Sequence, residues 1–319
     1  MREIQVLEDD KRGVDGLGGA RVAELTPDGN QVLVVSGDDN SLAIFDVDED
    51  FKLSFNKVFK NNSIIDGLDG AVSLVVSPDG RRVYVASYYD SAVAIFEQDE
   101  QGSYQFIQAI RDGLPFEDVF SDKESVKKKD KLGLLGAYDI AITTDNSQLF
   151  IASVASNALS IFDINKNGNV VFNHAIRDSD NTEYGLGGAV NVIITPNNSQ
   201  VIVAGFNESA ITIFNRNDSG VLTHSQTLIN GKEGVKNMIA PQGLAISPDG
   251  NYLYAACGGG NAIVVFARNE QGKYAYIQSI SNSDDVSGLG GAGYVTTSPD
   301  GSRVFVASGS DNAVVTLAK

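Results

Sequence analysis

The feature of this sequence that most constrains its fold is a short turn motif that recurs at nearly equal intervals. The motif reads Ser/Thr-Pro-Asp-Gly, with two degenerate copies, and its six copies begin at Thr26, Ser77, Thr143, Thr195, Ser247 and Ser298. The intervals between copies are 51, 66, 52, 52 and 51 residues. A repeat of this length predicts a propeller or a solenoid built from one structural unit.

Each repeat contains four short runs of apolar, β-branched and aromatic residues, separated by turn residues. In the second repeat these runs are Ala71–Val76, Arg82–Ser87, Ala92–Phe96 and Tyr104–Ile110. The runs have the length of strands and are too closely spaced for helices. Four short antiparallel strands per repeat make one blade, so the sequence predicts an all-β, six-bladed β-propeller.

The two ends of the chain predict how the propeller closes. The sixth repeat stops at Lys319 after its third run, whereas residues Glu3–Asp15 resemble fourth runs such as Phe106–Asp112. The N-terminal strand is therefore expected to complete the last blade, which would leave only short, protected sheet edges. We expect a single β-propeller domain over residues 1–319, with one insertion at residues 115–131 between the second and third repeats.

The insertion has its own sequence signature. Ser121-Asp122-Lys123-Glu124 has the form of a capping box, and Ser125–Lys131 is suited to one short helix. Because the insertion connects an outer strand to the next inner strand, it lies on the face where propellers usually bind ligands. It is either a lid or a docking element for a protein partner, or a solvated excursion at the surface.

The charge of the chain limits its partners. The formal net charge is −17, whereas a protein that binds nucleic acid or an anionic membrane needs a basic surface. No apolar stretch is long enough to span a membrane and no export signal begins the sequence. We expect a monomer, and the compartment stays open between the cytoplasm and, if the chain has been shortened, the outside of the cell. The single cysteine, Cys257, leaves no internal disulfide.

The first strand of each blade lines the central channel of a propeller, so its first residues are where a site is expected. Aligned on the turn motif, the residues five places before it are Arg21, Val72, Tyr138, Val190, Gln242 and Gly293. The residues four places before it are Val22, Ser73, Asp139, Asn191, Gly243 and Tyr294. Polar side chains are therefore concentrated at one end of the predicted channel.

Two kinds of ligand fit these positions, and simple contact with channel water is the alternative. Oxygen ligands for calcium or another divalent cation would come from Asp139, Asn191 and Glu24. A small polar ligand would be oriented by Arg21, Tyr138, Gln242 and Tyr294.

The sequence nominates no catalytic residue. The histidines, His174 and His224, lie on fourth runs that face away from the channel, so no Ser-His-Asp or Cys-His arrangement is expected around the axis. The recurrent Gly-Leu-Gly/Asp-Gly-Ala motif, as at Gly16–Ala20, precedes a strand rather than a helix and is not a phosphate loop. Its expected role is to let the backbone enter a crowded channel wall.

The repeat is similar to the YVTN and lactonase-like (6-phosphogluconolactonase-like) β-propeller superfamily. The matching stretches are Ser77–Ser87 with Asp90–Phe96, and Ser298–Ser308 with Asn312–Leu317. The resemblance covers nearly the whole chain and implies the propeller fold. Its seven-bladed lactonases carry channel His and Arg residues, whereas this chain has six repeats and no inner-strand histidine. Six-bladed gluconolactonases, which bind a divalent metal through Glu, Asn and Asp, would imply that role for the three oxygen ligands named above.

Two functions from different classes follow from this reading. The first hypothesis is a non-catalytic propeller that binds a small polar ligand or a protein partner and acts as an interaction scaffold. The alternative is a metal-dependent lactonase or related hydrolase that acts at the mouth of the channel.

Overall fold

The computed structural model describes residues 5–112, 130–283 and 286–319. The predicted helix at Ser125–Lys131 lies outside the described residues except for its last two positions. Within the described ranges the chain is all-β apart from one 3-10 turn at Asp178–Asp180, and the sheets are those of the predicted six-bladed β-propeller. The chain divides into two compact units, which are described in turn, and the single domain stays a prediction.

The first unit contains the described residues up to Ser156 together with Ser160–Ala175. It holds the first three sheets, except for a few residues of the third, and in each sheet neighbouring strands follow chain order. The strands of these three sheets are β1 Ala20–Leu25, β2 Gln31–Ser36, β3 Ser41–Val47, β4 Leu53–Lys60, β5 Ala71–Val76, β6 Arg82–Ser87, β7 Ala92–Gln98, β8 Tyr104–Arg111, β9 Ala137–Ile142, β10 Gln148–Ser153, β11 Ala158–Ile164 and β12 Val170–Arg177.

The second unit contains Asn157–Leu159 and the described residues of Ile176–Lys319. It holds the last three sheets, again in chain order. Their strands are β13 Ala189–Ile194, β14 Gln200–Gly205, β15 Ala210–Arg216, β16 Leu222–Ile229, β17 Pro241–Ile246, β18 Tyr252–Cys257, β19 Ala262–Arg268, β20 Tyr274–Ser281, β21 Ala292–Thr297, β22 Arg303–Ser308 and β23 Ala313–Ala318.

The turn motif joins the first and second strands of each sheet, and its side chains explain why it recurs. The hydroxyl of Ser77 donates to Asp79 at 2.5 Å, and the same carboxylate accepts the backbone N–H of Arg81 at 3.1 Å. The equivalent bond from the Ser298 hydroxyl, followed by those from Ser302, lowers the pKa of Asp300 to about 2. An ionised Asp at this place therefore holds the hairpin together.

An aromatic residue near the end of the third strand lies in the core of each of the first three sheets. Phe45, Phe96 and Phe162 are at most 1% exposed. Each packs against an aromatic ring on the outer strand of its own sheet, with ring centroids 5.7 Å apart for Phe45 and Phe55. These rings belong to the hydrophobic core that holds the sheets together.

Every inner strand, the first strand of its sheet, carries a β-bulge that the sequence did not predict. In β1, Ala20 pairs with Ser36 and Val22 pairs with Val35, so that Arg21 is an extra residue. The same shift leaves one extra residue at the corresponding place in the other five inner strands: Val72, Tyr138, Val190, Gln242 and Gly293. A bulge bends the strand and changes the direction of a side chain.

The residue just before each inner strand has a positive φ, between 51° and 68°. Five of these residues are the last glycine of the recurrent glycine motif, or its equivalent, and the fifth sheet has Ala240. In the second to sixth sheets, the N–H of this residue donates to a side-chain oxygen in the turn after the second strand of the preceding sheet. The first unit has such bonds from Gly70 to Asn40 (2.8 Å) and from Gly136 to Ser91 (3.1 Å). The glycine motif therefore places a backbone donor between neighbouring blades.

The last blade has three strands in the described residues, in the order β21-β22-β23. The predicted fourth strand from the N-terminus is not found there: residues 1–4 lie outside the described ranges, and Gln5–Glu8 are not in a strand. Instead, the Gln5 amide donates to Leu53 O at 2.7 Å and accepts Leu53 N at 2.8 Å, at the start of β4 in the first blade. The described N-terminal residues are thus anchored on the first blade.

No helix among the described residues is long and apolar enough to cross a membrane.

Candidate functional site

Five polar side chains lie on the inner strands of the first unit, four of them near the start of their strands and Glu24 near the end of β1. Arg21 and Tyr138 are the bulge residues of β1 and β9, and both are exposed. The guanidinium of Arg21 lies beside Gly37, where a Cβ would be in ordinary contact with its Nε at 3.5 Å. The bulges therefore present a cation and a phenol at the end of the strands where the sequence predicted a site.

A hydrogen bond between blades joins the next two polar residues. The Ser73 hydroxyl on β5 donates to the Asp139 carboxylate on β9 at 2.7 Å. Ser73 is 7% exposed and Asp139 is half-buried. The bond fixes one oxygen of the carboxylate, so Asp139 is held in place beside Tyr138.

The carboxyl of Glu24 has a burial and a pKa that suit proton transfer. It lies half-buried on β1, and its carboxylate accepts the Val76 N–H of the neighbouring inner strand at 3.3 Å. Burial raises its pKa to about 7, although the Val76 hydrogen bond opposes the shift. Glu24 is therefore present in both protonation states near neutral pH, which is the property that proton transfer requires.

The predicted site residues of the second unit are Asn191, Gln242 and Tyr294. The Asn191 amide oxygen on β13 accepts the Leu244 N–H of β17 at 2.9 Å and so joins two inner strands. Gln242 is an exposed bulge residue beside Gly258, where a Cβ would lie 2.9 Å from its Nε2. Tyr294 is 61% exposed.

The predicted calcium site needs a fuller donor set than these residues offer. A calcium ion takes about six to eight oxygen ligands. In the described part of the chain, the group of three or more acidic, His or Cys side chains with ligand atoms within 4.8 Å of one another is Asp9, Asp10 and Asp15. Neither Glu24 nor Asp139 belongs to it. The cation site stays a prediction, and no step proposed below is routed through a metal.

Sequence reasoning missed an aromatic cluster at the same end of the first unit. Tyr88 and Tyr89 follow β6, and the Tyr88 ring centroid lies 5.4 Å from Tyr89 and 6.0 Å from Tyr138. The signal was present in the sequence, because the first repeat has Gly37-Asp38 where the second has two tyrosines. These positions lie in a turn after the second strand, outside the inner strands where a site was expected.

The histidines and the cysteine lie away from this region. His174 and His224 are on the outer strands β12 and β16. Burial lowers the pKa of His224, whose ring centroid lies 5.3 Å from Tyr184. Cys257 is fully buried, and burial raises the pKa of its thiol, so it is not a reactive nucleophile.

A cleft of about 510 Å³ in the first unit lies at the opposite end of the strands. Turn residues line it, and the Arg82 guanidinium there is paired with Glu97 at 2.9 Å. None of the predicted site residues contributes to its lining.

The class of protein is given by comparison with family models. Residues 22–239 match the model described as "Lactonase, 7-bladed beta-propeller", a span that covers more than half of the chain. The chain therefore belongs to this lactonase family, although its described residues form six sheets rather than seven.

The chain is also similar to a curated protein of known name. A 6-phosphogluconolactonase from Klebsiella pneumoniae (strain 342) is 24% identical over 159 residues, which cover 50% of this chain and 43% of the relative. The match thus spans less than half the length of that curated protein.

Solved structures support the fold alone, because their sequence identity is low. The periplasmic gluconolactonase of Pseudomonas aeruginosa superposes with a TM-score of 0.72 at 17% identity and covers 93% of this chain and 80% of its own. A functionally unknown protein from Desulfotomaculum acetoxidans DSM 771 has a TM-score of 0.70 at 14% identity, with coverages of 96% and 84%.

Proposed function

We propose that this protein is a lactonase that hydrolyses a sugar lactone along the inner strands of its first unit. Membership of the lactonase family supports this choice, as does the Klebsiella relative that bears the name 6-phosphogluconolactonase. Both favour the hydrolase alternative over the non-catalytic interaction scaffold. A fold alone does not determine an activity, so the proposal depends on the residues of the site.

The observation that carries the proposal is the half-buried carboxyl of Glu24, whose pKa is about 7. In its ionised form Glu24 takes a proton from a water molecule as the water oxygen attacks the lactone carbonyl carbon. The ring C–O ester bond then breaks, and the released ring oxygen takes the proton back from Glu24. The product is an open-chain hydroxy acid, and Glu24 returns to its starting state without any redox change.

The neighbouring polar residues serve binding and charge stabilisation in this scheme. Arg21 lies three residues before Glu24 on β1, about 10 Å along the strand, and supplies positive charge for the phosphate of a phosphorylated lactone. Asp139, held by Ser73, accepts hydrogen bonds from sugar hydroxyls. Arg21 is valuable here because the chain as a whole has a net charge of −17.

The test is the hydrolysis of glucono-δ-lactone and 6-phosphogluconolactone, followed by proton release and corrected for spontaneous hydrolysis. We expect Glu24→Gln to lower kcat by about 100-fold or more, because the amide cannot accept a proton. The matched control is Glu49→Gln, an exposed glutamate in the turn after β3, which should keep the wild-type rate. Wild-type kcat in the Glu24→Gln variant would remove Glu24 from the mechanism.

A further inference from the structure

We infer that Tyr88, Tyr89 and Tyr138 form a stacking subsite for the ring of a neutral pyranose sugar, which we call the tyrosine platform. The choice of a sugar rests on the proposed lactonase function, but binding at the platform requires no turnover. The subsite lies beside Asp139, the neighbour of Tyr138 on β9.

The geometry of the platform is that of rings packed edge to face. The interplanar angle is 74° between Tyr88 and Tyr89 and 85° between Tyr88 and Tyr138. Tyr88 thus lies between the other two rings. Tyr89 and Tyr138 remain 44% and 37% exposed, so both retain ring surface that a ligand can cover.

Two glycines of the recurrent motif hold these rings in place. A Cβ built on Gly70 would lie 2.6 Å from Cδ2 of Tyr89, and one on Gly136 would lie 3.4 Å from Cε2 of Tyr88. Both glycines have positive φ, at 68° and 65°. The tyrosines therefore pack directly over backbone that carries no side chain, which fixes the platform before a ligand arrives.

The fold itself does not require tyrosines at these positions. The other repeats have no tyrosine at the places of Tyr88 and Tyr89, where their residue pairs are Gly37-Asp38, Val154-Ala155, Phe206-Asn207, Gly258-Gly259 and Gly309-Ser310. The fourth repeat has the ring of Phe206 at the place of Tyr88, and the other four form the same turn without an aromatic residue. Two adjacent tyrosines in this turn occur in one repeat, beside Tyr138 of the next blade, which points to a binding role rather than a structural one.

The chemistry of the platform matches a sugar. A pyranose presents an apolar C–H face, which stacks on an aromatic ring, and a rim of hydroxyls, which need hydrogen-bonding groups. Asp139 offers a carboxylate at that rim. Burial and the neighbouring phenols raise the pKa of Tyr88, so its hydroxyl stays neutral at physiological pH.

A quaternary ammonium ion is the other ligand that tyrosine clusters bind, and the geometry disfavours it. A cation is recognised when several ring faces surround one gap. Here the central ring, Tyr88, is packed against both of its neighbours, at 5.4 and 6.0 Å between centroids. An exposed ring face beside a carboxylate fits a flat, hydroxylated ligand better.

The experiment uses saturation-transfer NMR and calorimetric titration of the full chain with methyl β-D-glucopyranoside as the probe. We expect the strongest saturation at the axial C–H protons of the sugar. Tyr89→Leu and Tyr138→Leu should each weaken binding by about tenfold, whereas Tyr89→Phe and Tyr138→Phe should stay within about threefold of the wild type. Phe51→Leu, at a residue that is 81% exposed in the turn after β3, is the control and should bind the probe like the wild type.

The outcomes separate this inference from the proposed function. Glu24→Gln should bind the probe normally while it loses lactone turnover, and binding without any wild-type turnover would remove the lactonase proposal but support the platform. The inference is overturned if the leucine variants, shown by circular dichroism to be folded, bind as tightly as the wild type. Absence of probe binding to the wild type, or tighter binding of tetramethylammonium, would overturn it too.

Discussion

At the scale of single residues, Glu24 is unusual because burial destabilises its ionised form and raises its pKa. The pKa rises from an ordinary value of 4.5 to about 7 in the folded chain. Below pH 4.5 the carboxyl is protonated in both folded and unfolded chains, so its titration does not change stability there. Between these two values the unfolded chain ionises first, so the folded chain binds more protons and stability falls as pH rises.

This linkage gives a prediction for Glu24→Gln. The wild type should lose on the order of 1–3 kcal/mol of stability relative to the variant between pH 4.5 and 7, and the difference should stay constant at higher pH. Urea denaturation at a series of pH values measures it, with Glu49→Gln as the exposed control. A difference between wild type and Glu24→Gln that does not change with pH would show that Glu24 titrates normally.

The tyrosines illustrate what a single sequence conceals at this scale. Tyr138 was nominated as a ligand contact because it lies on an inner strand. Tyr88 and Tyr89 lie in a turn after a second strand, and their proximity to Tyr138 depends on how neighbouring blades pack. Such contacts between distant positions leave no periodic signal in the chain.

At the scale of elements, the strands were readily predicted because they alternate with strong turn signals. In the second repeat, the predicted runs Ala71–Val76 and Arg82–Ser87 coincide with β5 and β6, and the others end one or two residues early. The inner-strand bulges were not predicted. Their extra residues are as different as Arg21, Tyr138 and Gly293, so no residue type marks the position.

The aromatic residue of the third strand carries a prediction of its own. Phe96 is fully buried, with its ring centroid 4.8 Å from that of Phe59 on β4. Phe96→Ala should cost about 3–5 kcal/mol, because it removes buried surface and leaves a cavity. The control is Phe51→Ala at an 81% exposed position, where we expect less than about 0.5 kcal/mol. Equal denaturation midpoints for the two variants would contradict the core assignment.

At the scale of the whole molecule, the hydrogen bonds made by the N-terminal segment recur between two later outer strands. Gln5 exchanges two hydrogen bonds with Leu53, and Gln226 exchanges the same two with Tyr274, at an identical separation of 48 residues. Gln226 lies on the outer strand β16, and Tyr274 begins the outer strand of the next blade. The N-terminal segment therefore contacts the first blade in the way that an outer strand contacts the blade after it.

Deletion of residues 1–9 is accordingly expected to lower Tm by several degrees and to promote aggregation. The reason is the loss of the Gln5 bonds and of the packing of Leu7 near Phe45. Gln5→Ala should give part of the effect, whereas Gln271→Ala, in an exposed turn, should give none. Thermal unfolding measures all three, and an unchanged Tm for the deletion would mean that the segment does not stabilise the blades.

The sequence predicted the all-β, six-bladed architecture, because this depends on repeated local signals. It did not predict the pKa of Glu24, which comes from burial between neighbouring strands. Nor did it predict that the amide oxygen of Asn191 accepts a hydrogen bond from the Leu244 N–H. These properties depend on which side chains meet after folding, and one sequence without its structure does not contain them.

We propose that the inner strands of the first unit hydrolyse a sugar lactone with Glu24 as the base. The most direct measurement is the rate of proton release from glucono-δ-lactone, above the spontaneous rate, as a function of pH. The account predicts turnover by the wild type that rises with pH through about 7 and is lost in Glu24→Gln. Turnover that is unchanged in Glu24→Gln, or a wild-type rate equal to spontaneous hydrolysis for both glucono-δ-lactone and its 6-phosphate, would contradict it.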